Sequence, residues 1–248
     1  MVNSFVSRTF DAVLPNHCVL CGLRSFRALP LCIGCEGDLP ANGHACRGCA
    51  LPLPQTPQAL ATLRLKPAMP LCGQCQIQLP LSSAVVAPWL YDEHLAYLIQ
   101  RWKFHSDQWL SRLLANLWLS AAEPPTPVDL LVPVPLHWRR RWQRGFNQAE
   151  LLCRQILRAR PELGRLDSGL VRRVRASPPQ SGATARERRG NLLGAFTVRR
   201  ACDNLRIAIV DDVYTTGATA NALVSTLQAA GANDVQVWCL ARTPAPGP

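Results

Sequence analysis

The chain has 248 residues, 48% hydrophobic and 17% charged, with a formal net charge of +11. That balance excludes a disordered polyelectrolyte and has room for one moderate domain plus a small appendage. No stretch approaches the apolar length of a membrane span, so no membrane insertion is expected. Met1–Leu14 lacks a basic leader and carries Asp11 within its apolar part, which argues against a signal peptide and makes the cytoplasm the expected compartment.

Eight of the eleven cysteines form four Cys-x-x-Cys pairs: Cys18/Cys21, Cys32/Cys35, Cys46/Cys49 and Cys72/Cys75. Such a pair places two sulfurs on one tight turn, half of a tetrahedral thiolate site, so four pairs predict two structural Zn²⁺ sites. The short spacer between Cys21 and Cys32 favours joining first pair to second and third to fourth; cross-bracing of first with third is the alternative. An iron–sulfur cluster and a thiol redox module are the competing chemistries. Gly22, Gly34, Gly48 and Gly73, at or beside the pairs, are expected to supply the turns. Two all-thiolate sites would lower the formal charge from +11 to +7. Between Cys49 and Cys72, five prolines predict a stiff, irregular arm rather than a helix.

Past Pro80 the pattern changes. Ser83–Tyr91 predicts a strand, and Asp92 an N-cap for a helix through Lys103. A second helix is expected from Asp107 to about Ala122, ended by Pro124-Pro125. Asp129–Val134 is a short buried strand, followed by the basic stretch Pro135–Arg144 and a helix from Gln148 to about Arg158. Trp138 and Trp142 are spaced four apart, which suits burial against a sheet slightly better than a stacking platform for bases. Leu170–Val174 and Phe196–Val198 read as strands, with a helix between them from Ala183 to Leu193. Leu205–Val210 is a strand, Asn221–Ala230 a helix and Val235–Leu240 a closing strand. Strands alternating with helices predict an α/β, doubly wound parallel sheet whose ligand sits beyond the strands' C-terminal ends. Cys153, Cys202 and Cys239 are expected in the core.

The segment Arg206-Ile-Ala-Ile-Val-Asp-Asp-Val-Tyr-Thr-Thr-Gly-Ala-Thr-Ala220 joins an apolar strand, an acid pair and a hydroxyl- and glycine-rich turn that leads into a helix. Backbone N–H groups and the positive helix end suit a phosphate there, while Asp211 and Asp212 suit ribose hydroxyls or a hydrated Mg²⁺. No Gly-Lys-Ser/Thr follows the glycine and no G-x-G-x-x-G is present, so the turn is neither a Walker loop nor a dinucleotide turn. The basic residues are also localised: positions 138–200 hold sixteen Arg and four acids, a balance of +12 against −1 for all the rest. Arginine suits forked contacts to phosphate.

The Arg206–Ala220 segment resembles the phosphoribosyl pyrophosphate (PRPP) loop of type I phosphoribosyltransferases. Trp102-Lys-Phe104, Val132-Pro-Val-Pro135, Arg144-Gly-Phe-Asn-Gln-Ala-Glu150, Arg172–Gly182 and Arg188-Arg-Gly-Asn-Leu192, behind a cysteine-knuckle ribbon, resemble the ComF family over Cys18 to about Arg242. That resemblance implies a double zinc ribbon at 15–79 and a type I phosphoribosyltransferase-like domain at 80–242. It implies Mg²⁺ with PRPP as ligand, Asp211 and Asp212 as catalytic groups, and Val213, Tyr214, Thr215, Thr216, Gly217, Ala218 and Thr219 as the PRPP-binding turn. Arg139, Arg140 and Arg144 would contact pyrophosphate, and Arg175, Gln180, Ser181 and Gly182 would lie on a mobile covering loop. The family's association with natural competence adds single-stranded DNA and DNA-uptake proteins as candidate partners. Two functional classes follow: a protein that handles nucleic acid and keeps PRPP as a bound ligand, and a transferase acting on an acceptor that no motif specifies.

Overall fold

The computed structural model describes residues 16–54, 70–104, 107–124, 126–174 and 194–244, the side chains of Arg139, Arg140 and Gln143 excepted. Two short helices, α1 (Ile33–Gly37) and α2 (Gly73–Ile77), belong to the cysteine-rich segment. After them come β1 (Ala84–Val86), β2 (Trp89–Leu90), α3 (Glu93–Phe104), α4 (Leu110–Ala121), β3 (Leu130–Pro133), α5 (Trp138–Arg144) and α6 (Gln148–Ala159). A 3-10 turn at Pro161–Leu163 leads to β4 (Arg165–Leu166), β5 (Val171–Arg173), β6 (Phe196–Val198), β7 (Arg206–Tyr214), α7 (Ala218–Ala229) and β8 (Asp234–Arg242).

The main sheet has the order β1-β8-β7-β3-β4, with β2 following β1 along β8, and every pairing is parallel. The doubly wound parallel sheet expected from the sequence is therefore present. The continuous apolar run Ile207-Ala-Ile-Val210 suits β7 for the centre, because a parallel strand is covered on both faces. Alternation divides that cover. Ala208, Val210, Trp238 and Leu240 join α3, α4 and α6 in one core, while Ile207, Ile209, Val235 and Val237 join α7 and the antiparallel pair β5–β6 in the other. Three core indoles find polar partners as well as apolar neighbours: Trp102 donates to Ser111 Oγ at 2.8 Å, Trp238 to Gln236 Oε1 at 3.0 Å and Trp89 to the Leu117 carbonyl at 3.0 Å.

The cysteine-rich segment covers the outer edge of this sheet. The Val85 N–H donates to the Arg47 carbonyl at 2.8 Å and the Leu90 N–H to the Pro40 carbonyl at 2.9 Å. Buried Asn42 stitches the junction, its amide donating to the Ala50 and Ala87 carbonyls at 2.8 and 2.9 Å. A bare β1–β2 edge would be open to pairing with another chain, and the ribbon occupies it. Cys18, Leu31 and Leu39 enter one core and Ala50 the other, so the ribbon straddles the edge.

Several elements depart from the sequence expectations for physical reasons. The Ser83–Tyr91 strand is split at Ala87-Pro88, because proline has no N–H to give a ladder. The Asp92 N-cap is present, its Oδ1 accepting from the Leu95 N–H at 2.8 Å. The second helix starts at Leu110, three residues after Asp107, which is held by Arg101 in an ion pair at 2.7 Å. Residues 138–144, within what the sequence marks only as a basic stretch, form a helix; they contain no Gly or Pro, and Gly145 ends the helix at a φ of 75°. Trp138 and Trp142 are 65% and 86% exposed, contrary to the expected burial, because α5 lies beyond the end of β3, where no layer among the described residues covers them. β7 and β8 are longer than expected, and α7 starts at Ala218 rather than Asn221. β4 is new: two residues, one of them Arg165, carry no legible pattern. Cys153, Cys202 and Cys239 are buried as expected. The expected helix at 183–193 and most of the proline-rich arm lie outside the described residues.

One side chain joins β3 to α6. Asn147 Oδ1 accepts from the Ala149 N–H at 3.1 Å as the helix N-cap, and its amide donates to the Val134 carbonyl at 3.0 Å. Asn147→Ala should lower unfolding free energy by about 1–3 kcal/mol, the cost of a lost cap and an unpaired buried carbonyl. Chemical denaturation measures this, and an unchanged midpoint would show that Asn147 does not carry the junction.

Candidate functional site

The eight knuckle cysteines gather into two sets, Cys18/Cys21/Cys32/Cys35 and Cys46/Cys49/Cys72/Cys75, each with its sulfurs within 4.8 Å of one another. First pair thus joins second and third joins fourth, and the cross-braced alternative is not formed. Cys21 Sγ lies 3.8 Å from Cys32 Sγ, and Cys49 Sγ 3.6 Å from Cys72 Sγ. Four thiolates at about 2.3 Å from a tetrahedral Zn²⁺ stand about 3.8 Å apart, so the spacing fits the ion. Backbone donors meet the sulfurs: Cys35 N–H to Cys32 Sγ at 3.4 Å and Cys72 N–H to Cys46 Sγ at 3.2 Å. Burial pushes the Cys18 thiol up, but the N–H groups of Cys21, Cys32 and Leu20 outweigh it and bring it down to about 6, while burial and the neighbouring sulfurs push Cys35 of the same set up. Of the four glycines, Gly22 is needed for its φ of 75°, and Gly48 because a Cβ would stand 2.6 Å from Pro80 Cγ and 3.1 Å from Cys75 Sγ. Gly34 and Gly73 have neither constraint.

In the sheet, β7 runs through the acid pair instead of stopping before it. Its partners continue to Asp211↔Cys239 and Tyr214↔Arg242. Successive residues of a strand face opposite ways, which gives the two carboxylates different surroundings. Asp212 Oδ2 is ion-paired with Lys103 Nζ at 2.6 Å. Asp211 has no ion pair among the described residues, and its Oδ1 accepts from the Asp212 N–H at 2.9 Å. Burial first, and the Asp212 charge second, raise Asp211 to about 7 against the opposing pull of that N–H, Lys103 and Arg173. It is a carboxyl poised to ionise when a cation or hydrogen-bond donor arrives.

The turn beyond it is shaped by Gly217, which stands at φ 73° as the N-cap of α7. A Cβ there would lie 2.2 Å from Tyr214 Oη, so both backbone and space demand glycine. Gly217 has no side chain with which to cap α7; Thr216 Oγ1 accepts from the Ala218 N–H at 3.4 Å, and the first turn adjoins a cleft lined by Val134, Asp211, Val213 and residues 215–220. Three threonine hydroxyls, the helix end and one uncompensated carboxyl thus share one cleft, an arrangement able to hold a phosphate and a diol.

The structure brings Asp211 and the whole Val213–Thr219 turn to one cleft, whereas Asp212 is not among its described lining residues and is paired with Lys103. Arg144 lies with its guanidinium 5.0 Å from the Phe104 ring centroid. The side chains of Arg139 and Arg140, and all of Arg175, Gln180, Ser181 and Gly182, lie outside the described residues. Sequence reasoning missed Lys103 and Arg242. Lys103 sits inside the quoted Trp102-Lys-Phe104 motif, which was the available signal. Arg242 is 7% exposed and donates to the Cys49 carbonyl at 2.8 Å and the Tyr214 carbonyl at 3.1 Å, with its guanidinium 5.4 Å from the Tyr214 ring centroid. Nothing in a C-terminal Ala-Arg-Thr marks such a role.

Two four-cysteine sites on the edge of an all-parallel sheet, with an acid pair and a hydroxyl-rich turn at the end of its central strand, define a double zinc ribbon joined to a doubly wound α/β domain. A family model described as a double zinc ribbon domain matches residues 9–76. Competence protein F of Haemophilus influenzae is 36% identical over 224 residues, 85% of this chain and 96% of that protein. DNA utilization protein YhgH of Escherichia coli K12 is 34% identical over 243 residues, covering 93% and 98%. Competence protein ComFC of Streptococcus pneumoniae is 32% identical over 173 residues, covering 69% and 74%. The chain belongs to the ComF family. Among solved structures, glutamine PRPP amidotransferase from B. subtilis overlaps 54% of this chain at 17% identity and a TM-score of 0.31; the chain spans 25% of that one's length. No helix among the described residues is long and apolar enough to cross a membrane.

Metal analysis of the purified protein should return about two zinc ions per chain. Because the ribbon covers the sheet edge, stripping both should lower the thermal midpoint of the whole chain and not only that of the ribbon. A midpoint indifferent to chelation would overturn this coupling.

Proposed function

We propose that the chain binds Mg²⁺–PRPP at Asp211, Asp212 and the Val213–Thr219 turn and acts in natural competence by handling imported single-stranded DNA. Residues 15–79 would serve as the zinc module and 80–242 as the ligand-binding domain, acting in the cytoplasm. The carrying observation is the cleft at the end of β7, where a raised, unpaired carboxyl faces a hydroxyl-rich helix N-terminus. The relatives named for competence and DNA utilization support the biological half of the reading. The localisation of positive charge to residues 138–200 supports contact with a polyanion.

In this reading the turn holds the 5′-phosphate through N–H groups and the hydroxyls of Thr215, Thr216 and Thr219. Asp211 takes the ribose diol or the hydrated ion, and Lys103 holds Asp212 in place through their ion pair. Mg²⁺, held by the acid pair and the ligand, supplies neutralisation of pyrophosphate charge. Arg144 adds positive charge on the Phe104 side of the pair, and Arg139 and Arg140 belong to the same basic stretch. A second reading, phosphoribosyl transfer to a small acceptor without direct DNA binding, is favoured by a separate cleft immediately beyond Pro135. Pyrophosphate release in the presence of an acceptor distinguishes it.

Calorimetric titration with Mg²⁺–PRPP should show saturable binding that Asp211→Asn weakens at least tenfold, about 1.4 kcal/mol. The sign of the pH dependence follows from Asp211, which is raised to about 7 in the folded chain and bound in its ionised form. Below that pH, binding must first expel a proton, so affinity should fall by up to about tenfold per pH unit, and the slope should vanish in Asp211→Asn. No binding to the wild type would sink the site. Single-stranded DNA should bind with an affinity that drops steeply with salt as counterions are released; a response flat between 50 and 200 mM, roughly the window where such losses are large, would remove DNA from the reading.

A further inference from the structure

The two four-cysteine sets abut different halves of the protein. Cys18 enters the core of α3, α4 and α6, with Cys32 and Cys35 packed at its margin. Cys49 is packed against the other core, which holds Ala50 of the same knuckle, Tyr214 at the end of β7, and Ala220, Leu223 and Val224 of α7. Ala218, the first residue of α7, lies at the margin of that core as Cys49 does. Among the described residues, only the second set therefore shares a core with the helix that begins at the proposed phosphate turn.

The connection runs through Arg242. Its buried guanidinium donates to neutral oxygens: through Nε to the Cys49 carbonyl at 2.8 Å, and through a terminal nitrogen to the Tyr214 carbonyl at 3.1 Å and the Thr243 carbonyl and hydroxyl at 2.6 and 2.8 Å. A planar fork with donors fixed in direction thus ties the knuckle to the end of β7. The direction of the Cys49 carbonyl is set in turn by Ala50, whose φ of 54° is a left-handed conformation that a Cβ disfavours. The Ala50 N–H donates to the Cys46 carbonyl at 2.7 Å, so the strained residue closes the turn on which Cys46 and Cys49 sit. On the far side, the Tyr214 ring fills the space of the missing Gly217 side chain, with Oη, Cζ and Cε1 all within 3.2 Å of where its Cβ would stand. Contact alone does not carry energy between sites, and coupling needs an element with two arrangements. Ala50 is that element, because strain gives it somewhere to relax when the knuckle opens.

We propose that Arg242 is a positioning residue for the phosphate turn, and that the Cys46/Cys49/Cys72/Cys75 set, when closed on its metal, holds the turn through it. With the set empty, Ala50 leaves its left-handed conformation and the Cys49 carbonyl swings away from Arg242 Nε. Tyr214 then loses the hold that keeps its ring against Gly217. By reciprocity, a ligand that orders the turn tightens the grip of the second set on its metal and leaves that of the first unchanged. The inference rests on the function proposed above only in taking residues 215–219 as a ligand turn; the path from Cys49 to Gly217 does not depend on which anion binds.

The test is amide hydrogen exchange on the full-length, zinc-loaded chain, with metal content followed by native mass spectrometry. Arg242→Lys keeps the buried charge but not the fork. With both metals retained, it should speed exchange over residues 215–220 by about tenfold or more and leave α4 protected. Cys72→Ser/Cys75→Ser, which empties the second set, should do the same, whereas Cys18→Ser/Cys21→Ser should loosen α4 and spare the turn. In the unmutated chain, Mg²⁺–PRPP should slow the release of one metal to a chelator by about fivefold or more, and Arg242→Lys should remove that protection. If PRPP does not bind, the function proposed above fails and the exchange measurements still decide this inference. Should the lysine variant not fold, the two cysteine variants decide it between them. The inference is overturned if Arg242→Lys leaves exchange of the turn as it was, if emptying either set loosens the turn equally, or if bound Mg²⁺–PRPP changes neither release rate.

Discussion

A buried guanidinium holds the parts of this molecule in one frame. Arg242 ends β8, opposite Tyr214 at the end of β7, and reaches the Cys49 carbonyl in the third cysteine knuckle, the Tyr214 carbonyl and the Thr243 carbonyl at 2.8, 3.1 and 2.6 Å. Burial lowers its pKa, and the carbonyls and the Tyr214 ring supply the compensation that a charge removed from water needs. The Cys49 carbonyl belongs to a backbone turn whose neighbouring sulfur sits in the second four-cysteine set, so thiolate geometry at the knuckle bears on where Arg242 can lie. Tyr214 in turn stands against Gly217, the pivot of the proposed phosphate turn. A structural zinc site and a ligand loop far apart in sequence thus share one side chain.

The same ladder that delivers Arg242 sets the chemistry of the acid pair. Extending β7 to Tyr214 keeps Asp211 and Asp212 in strand geometry, so they face apart instead of sharing one pocket. Only Asp212 then lies within reach of Lys103, and the other carboxyl is left to burial and its neighbour's charge. Had both met the lysine, the pair would be neutralised internally and less available to a ligand. The asymmetry is a consequence of strand pairing rather than of the two residues themselves, which are chemically identical.

That distinction also explains what could be read from the sequence. The knuckles, the β7 run, the acid pair and the glycine turn were legible because each is a local pattern: two cysteines on one turn, an apolar run, a helix entry. The sulfur sets follow from the short Cys21–Cys32 spacer. Lys103 and Arg242 were not legible, because their roles depend on which helix and which strand end lie beside β7, and only sheet order settles that. Trp138 and Trp142 misled in the same way. Their spacing makes a helical face, but whether a face is buried depends on a neighbouring layer, and beyond the end of β3 none exists among the described residues. Gly34 and Gly73 show the converse, positions that looked demanded by a turn and meet no constraint.

The end of β3 is where these strands of reasoning converge. Pro133, Val134 and Pro135 form a stiff segment whose middle carbonyl is held by the Asn147 amide, and clefts open on both sides of it. Cations reach the first of these clefts from two elements: Lys103 on α3 and Arg173 on β5 both oppose the rise of Asp211. An anion brought beside that carboxyl would therefore meet positive charge from two sides, which offsets the Coulomb cost of placing it there.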